Sequence, residues 1–162
     1  MKKLIGLLVV IFIVSTGQVF AQTTTYKLGD TGPAGGIVFA QFDFFGYHNL
    51  EAAPSDELPR YMNWSDAVKA CKDKSVTVGN KTFTDWVLPL KEMLNLMYVN
   101  LKSGKDTSGA TYTPVGGFYD DWYCSSSEVN VSDARYQDFG DGTPYDGYKY
   151  DVSNRVRCVR AF

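Results

Sequence analysis

The stretch from Asp138 to Asp151 concentrates side chains suited to reversible contact. Its 14 positions hold four Asp, three Gly and three Tyr. Tyr supplies a large, rigid contact surface with a polar tip at small rotamer cost, and Gly, Asp and Ser supply adaptable polar contacts, so the composition fits a recognition loop. The bland alternative is a solvated Tyr/Gly/Asp loop with no ligand. Asp138, Asp141, Asp146 and Asp151 are also hard oxygen donors of the kind calcium takes from loops. EF-hand spacing is missing, and so are lectin-type Glu-Pro-Asn and Trp-Asn-Asp sequences, so calcium is the weaker reading and no cofactor is assigned. Trp122, beside Asp120 and Asp121, fits either a core anchor or a ligand platform, whereas Trp64 and Trp86 are read as core.

Other groups support little chemistry. His48 is the one histidine of the chain, which excludes a multi-histidine metal site and leaves general-base catalysis without a second residue. Ser125-Ser126-Ser127 lacks a nucleophile-elbow sequence and is read as capping or pairing strands. Gly29-Asp30-Thr31-Gly32-Pro33-Ala34-Gly35-Gly36 resembles a phosphate-cradling loop only in its glycines. It has no Lys-Ser/Thr and no following helix, so it reads as a hairpin turn entering the strand Ile37-Val38-Phe39-Ala40. The expected protein is not an enzyme.

The N-terminus reads as an address. Met1-Lys2-Lys3 is basic, Leu4 to Val14 is apolar, and Val19-Phe20-Ala21 places small residues before a cleavage point, so residues 1–21 form a secretory signal peptide. The apolar run is shorter than the roughly 20 residues of a spanning helix. Residues 22–25 make a loose lead-in, and residues 26–162 make one domain. Cleavage takes the formal charge from −2 to −4 by removing Lys2 and Lys3. Without a basic cluster, an acidic chain of this size is no candidate for nucleic acid. The expected location is secreted, periplasmic or cell-surface, with no membrane anchor after cleavage. In that oxidising setting Cys71, Cys124 and Cys158 permit one internal disulfide and leave one thiol over, and their spacing alone does not choose the pair. They are too scattered for zinc.

Two helices are legible. Asn63 is an N-cap with Asp66 in capping-box position, and Trp64, Ala67, Val68 and Cys71 share one face. Pro89 suits a first helical position, with Leu90, Met93, Leu94, Met97 and Leu101 at helical spacing before Asn100–Gly104 ends the run. Phe42, Phe44, Phe45 and Tyr47 form an aromatic segment. Beyond Gly104, Phe118-Tyr119, Trp122–Ser127 and Ala134–Phe139 read as short strands, and Asp138–Asp151 as a loop. Arg155–Phe162 reads as a terminal strand with Val156, Cys158 and Arg160 on one face and Arg157, Val159 and Ala161 on the other, Cys158 pointing inward.

The blocks Gly29–Phe39, Leu50–Pro54, Trp64–Ala67, Thr84–Pro89, Ser125–Glu128 and Arg155–Arg160 also occur in an order that is familiar. They resemble a bacterial domain-of-unknown-function family related to the C-terminal domain of Legionella collagen-like adhesins and similar to the Treponema variable proteins. That resemblance covers residues 26–162 and implies an α+β, C-type lectin-like fold: two helices packed on a small twisted antiparallel sheet with long ligand-facing loops. In such domains a helix cysteine pairs with one on the last strand, which implies a Cys71–Cys158 disulfide. Retroelement diversification of the Treponema proteins rewrites adenine-containing codons into the residue spectrum seen here. The resemblance therefore implies a variable ligand-binding face of Asp138, Asp141, Thr143, Tyr145, Asp146, Tyr148, Tyr150 and Asp151, with Trp122 beside it.

Two departures stand out. Leu90 replaces a threonine that would cap the second helix, at a cost of about 1 kcal/mol. Cys124 replaces a tryptophan, which marks it as a core substitution, the odd thiol, buried and inert. The expectation is a secreted binding module that offers its C-terminal loops to an extracellular protein or glycan, as a diversified receptor or adhesin. The alternatives are an envelope-associated structural protein without a discrete site and, more remotely, an enzyme on the related formylglycine-generating scaffold.

Overall fold

A computed structural model describes residues 25–44, 47–106, 108–151 and 154–162, without the side chains of 42–48. The expected signal peptide, the lead-in as far as residue 24, and the side chains of Phe42, Phe44, Phe45, Tyr47 and His48 lie outside the described residues. Along the chain come β1 (Ile37–Phe44), β2 (Tyr47–Ala52), α1 (Trp64–Lys72), β3 (Val76–Val78), β4 (Lys81–Phe83), α2 (Lys91–Met97), β5 (Trp122–Glu128), β6 (Asp133–Asp138), β7 (Pro144–Tyr148) and β8 (Val159–Ala161). The fold is α+β. Among the described residues, three antiparallel sheets form, ordered β1-β2-β8, β3-β4 and β5-β6-β7.

Local sequence explains both helices, with one correction. Asn63 caps α1: its Oδ1 accepts from the Asp66 amide at 2.9 Å, and its Nδ2 donates to the Asp66 carboxylate. Ala67 and Cys71 are buried, and Trp64 and Val68 pack on the same core. The second helix begins at Lys91, not at Pro89. Leu90 is its extended N-cap and has no side chain to offer. The missing hydroxyl is supplied from a distance, since Ser127 Oγ accepts from the Lys91 amide at 3.0 Å. The helical spacing through Leu101 is kept by a π-helical turn over Tyr98–Lys102, which buries Leu101.

Two further readings need correcting. Phe118-Tyr119 is not a strand, and Phe118 instead packs its ring on Phe139 at a centroid distance of 5.3 Å. Asp138–Asp151 is not one long loop. It is a tight turn followed by β7, which completes the third sheet by pairing Tyr136 with Tyr145.

The terminal segment ties these parts together. Cys124 and Arg155, Ala53 and Cys158, Val87 and Val159, and Asn49 and Phe162 are joined by backbone hydrogen bonds. Alternation along this segment and along β5 separates two cores. Cys124, Val156 and Cys158 face a cluster with Ala67, Trp86 and Tyr136, whereas Tyr123 and Val159 face one with Phe39, Leu94, Met97 and Phe139. Cys71 and Cys158 form the expected disulfide, Cα–Cα 5.3 Å, closing 87 residues.

Charge is buried along the same segment. Arg160 donates to Glu51 at 2.6 Å and grips Asp85 with two hydrogen bonds of 2.8 and 2.9 Å. Glu51 is fully buried and also accepts from the amides of Ala34 and Gly36. The glycine-rich turn thus cradles an anion, but one of its own chain. A Cβ at Gly32 would come within 2.3 Å of the Glu51 carboxylate, and one at Gly36 within 2.5 Å of the Ala52 carbonyl oxygen.

Removing one partner of a buried pair strands the other, so Arg160→Met is expected to cost about 3–5 kcal/mol in urea unfolding. Lys69→Ala, which breaks the exposed Lys69–Asp73 pair, is expected to leave the midpoint unchanged. Arg160 holds the Asp85 carboxyl below the usual carboxylate range. Its stabilising contribution is present above the unfolded-state value of about 3.9 and is lost as pH falls through the lower native value. Melting temperature should therefore fall more steeply below about pH 4 in the native protein than in Asp85→Asn; equal slopes would contradict this.

Candidate functional site

The site grows from cross-strand pairing. Opposed residues of an antiparallel sheet point to the same face, and β5, β6 and β7 bring Cys124, Tyr136 and Tyr145 into one row, with Trp122 two residues from Cys124. Trp122 and Tyr145 meet with ring centroids 4.9 Å apart and planes inclined by 58°. Gly147 lies next along the face. A Cβ there would approach the Tyr145 ring to 3.0 Å and the Tyr136 ring to 3.3 Å, so the missing side chain is what lets the aromatic rings close over the strand.

The result is a cleft of about 330 Å³ whose walls include Trp122, Tyr136, Tyr145, Tyr148, Asp151 and Asn154. Tyr136 forms the buried floor, its hydroxyl donating to the Tyr148 carbonyl at 3.2 Å and its phenol pushed up in pKa by burial. Tyr145 and Tyr148 are 55% and 61% exposed and form the accessible wall. Lys149 turns inward between Tyr148 and Tyr150. Its ammonium donates to Glu128 at 2.5 Å and to the carbonyls of Asn130 and Val131, and lies 4.8 Å from the centroid of the Trp64 ring. This inward lysine fixes the backbone and leaves both neighbouring tyrosines facing out.

No family model matches the chain, and no curated protein matches it.

Of the residues expected to contact a ligand, the fold brings together Trp122, Tyr145, Tyr148 and Asp151. Asp138 ends β6, and Asp141 and Thr143 belong to the turn that precedes β7. There the Asp138 carboxylate accepts from the Gly140 amide at 2.7 Å and the Asp141 carboxylate from the Thr143 amide at 2.8 Å. Asp146 is paired with Arg135 at 2.7 Å across the sheet, and Tyr150 is 80% exposed without lining the cleft. Among the described residues no three His, Cys, Asp or Glu side chains gather into a set able to hold a metal ion. Tyr136, Gly147 and Asn154 were not anticipated. The period of two from Tyr136 to Asp138, opposite Trp122, was a usable signal for the first. The other two depend on a turn and a terminal bridge that sequence spacing does not reveal.

A larger cleft of about 550 Å³ lies between α2 and the β6–β7 hairpin, with Leu94, Asn95, Arg135, Gln137 and Pro144 on its walls. Gln137 crosses it, its Nε2 donating to Asn95 Oδ1 and to the Gly142 carbonyl.

Cys124 lies under Tyr136, its cross-strand partner, as a free and fully buried cysteine. Burial raises its thiol pKa, which withholds the nucleophilic thiolate. A thiol reagent such as DTNB is therefore expected to leave native protein unmodified and to titrate one thiol after denaturation without reductant. Rapid labelling of the native protein would contradict this.

Proposed function

We propose that the protein is an exported, non-enzymatic binding module of C-type-lectin-like type that presents the Trp122–Tyr145–Tyr148–Asp151 cleft to an extracellular protein or glycan. The observation that carries this reading is an accessible aromatic cleft set on a rigid hairpin. Exposed aromatic faces of this kind give a large contact at low entropic cost, and the exposed Asp151 and the buried Asn154 add polar groups to the walls. No cofactor is invoked, and nucleic acid is disfavoured by the acidic charge balance.

The lectin-like assignment draws support from the α+β arrangement of two helices with small antiparallel sheets, and from the disulfide joining α1 to the residue just before the last strand. The resemblance to adhesin-related and variable proteins is consistent with both. Diversification of the loop is likewise compatible with the way Tyr145, Asp146, Tyr148, Tyr150 and Asp151 expose their side chains while backbone pairing and Lys149 hold the scaffold. Such positions can change without rebuilding a core.

Glycan and extracellular-protein arrays probed with wild type, Tyr145→Ala and Tyr148→Ala test the reading. Both variants are expected to fold, with stability losses of about 1 kcal/mol or less, and to lose the wild-type hits. Retention of the hits by both would place binding elsewhere. Absence of hits for wild type would favour a structural role at the envelope.

A further inference from the structure

A separate cleft, of about 440 Å³, is walled by Pro54, Asp56, Arg60, Tyr119, Arg155 and Arg157 together with the Gly116-Gly117 backbone. Its ionisable lining is Asp56 and Glu57 against the three arginines, and Glu57 is neutralised separately by Lys74 at 2.6 Å. The cleft is thus cationic in a chain of formal net charge −2.

The carboxylates nearby are already engaged. Asp56 accepts from Arg157 Nε at 2.7 Å, from Arg155 Nη1 at 3.2 Å and from the Tyr123 hydroxyl at 2.9 Å. Asp121 accepts from Arg155 Nε at 2.9 Å and from the Tyr61 hydroxyl at 3.0 Å. Arg155 is 2% exposed, yet its Nη2, with two N–H donors, has no acceptor among the described residues. Buried donors are normally paired, and those of a charged group most of all.

Tyr119 covers this guanidinium. Its ring centroid is 3.7 Å from Arg155 Cζ and 5.6 Å from Arg60 Cζ, and the residue is 55% exposed. A half-exposed tyrosine therefore separates a buried, incompletely paired cation from a surface one.

We infer that this cleft is a second binding site, selective for a carboxylate, in which the incoming group displaces the Tyr119 ring and accepts from Arg155 Nη2 while Arg60 attracts it at the mouth. With Nε and Nη1 already bonded to carboxylates, Nη2 offers a contact through one nitrogen, and a cleft whose positive excess is small suits a monoanion such as a carboxylate better than a multiply charged phosphate. The carboxylate can belong to an acidic sugar or to the end of a peptide.

Arginine side-chain and backbone amide NMR of labelled protein, at ionic strength held constant with sodium chloride, tests the site. The probes are glucuronate and N-acetylglycine, with glucose and N-acetylglycinamide as neutral counterparts. At least one carboxylate is expected to shift the Arg155 Nε–H and the Gly116 and Gly117 amides saturably by about 100 mM, with its neutral counterpart silent. A response to glucuronate alone assigns an acidic glycan, and one to N-acetylglycine alone an acidic peptide. Arg60→Gln should weaken binding about threefold or more, and Tyr119→Ala should tighten it by a similar factor. Both changes lie at the surface and leave the Arg155 pairs intact. Silence of these resonances in wild type and Tyr119→Ala, an equal response to inorganic sulfate, or unchanged affinity in Arg60→Gln would each overturn the proposal. Tyr145→Ala is expected to leave the shifts in place, so this site and the aromatic cleft stand or fall separately.

Discussion

Glu51 holds its carboxylate wholly out of solvent, where an isolated charge would cost several kcal/mol, and much of the chain is arranged around it. Arg160 supplies the countercharge, and the amides of Ala34 and Gly36 supply the remaining donors. For those amides to reach the carboxylate, the turn must press its backbone against Glu51, which is why Gly32 and Gly36 have no room for a side chain. Arg160 in turn needs Asp85 for its outer edge. One buried anion thus accounts for residue choices in four separated stretches of sequence. Arg155 and Arg157 repeat the device on Asp56 and Asp121, so the last few residues bind by charge what β8 and the disulfide bind by backbone and covalent bond.

This concentration of constraint in one segment frees another. β7 is an edge strand with most of its side chains in solvent, the kind of edge that invites unwanted pairing unless it is short and charged. Pro144 opens it, Asp146 pairs across to Arg135, and Lys149 pins its exit to Glu128. The edge is blunted without being buried. Tyr145 and Tyr148 can therefore stay exposed on a backbone whose position is set by β6 and by Lys149, and not by their own packing.

Much of the scaffold was legible. α1 is legible through Asn63, Asp66 and the Trp64–Cys71 spacing, and β5 and β6 through short runs that hold Trp122, Tyr123 and Tyr136. What failed did so for definable reasons. Pro89 suits a first helical position by residue type, but the capping acceptor is Ser127, distant in sequence, and it meets the amide of Lys91. Asp138–Asp151 looked like a loop because Gly, Pro and Asp are poor strand formers, and β7 exists through pairing with β6 rather than through propensity. The split within the candidate face has the same origin: nothing in spacing distinguishes an aspartate that closes its own turn, such as Asp141, from one that reaches a cleft, such as Asp151. The arginines of the final strand read as alternating faces, and their partners on distant loops were beyond sequence pattern.

The buried charge networks also separate the stretches that hold the fold from the one that carries the aromatic cleft. Gly29–Gly36, Leu50–Pro54, Thr84–Pro89 and Arg155–Arg160 supply the partners of the Glu51 and Asp56 networks, and a change in any one leaves a buried charge uncompensated. The Tyr145–Asp151 stretch carries no buried charge apart from Lys149 and contributes little to either core. Its side chains can therefore change at small cost in stability, because backbone pairing with β6 and the Lys149 contacts, and not the exposed rings, hold the strand in place.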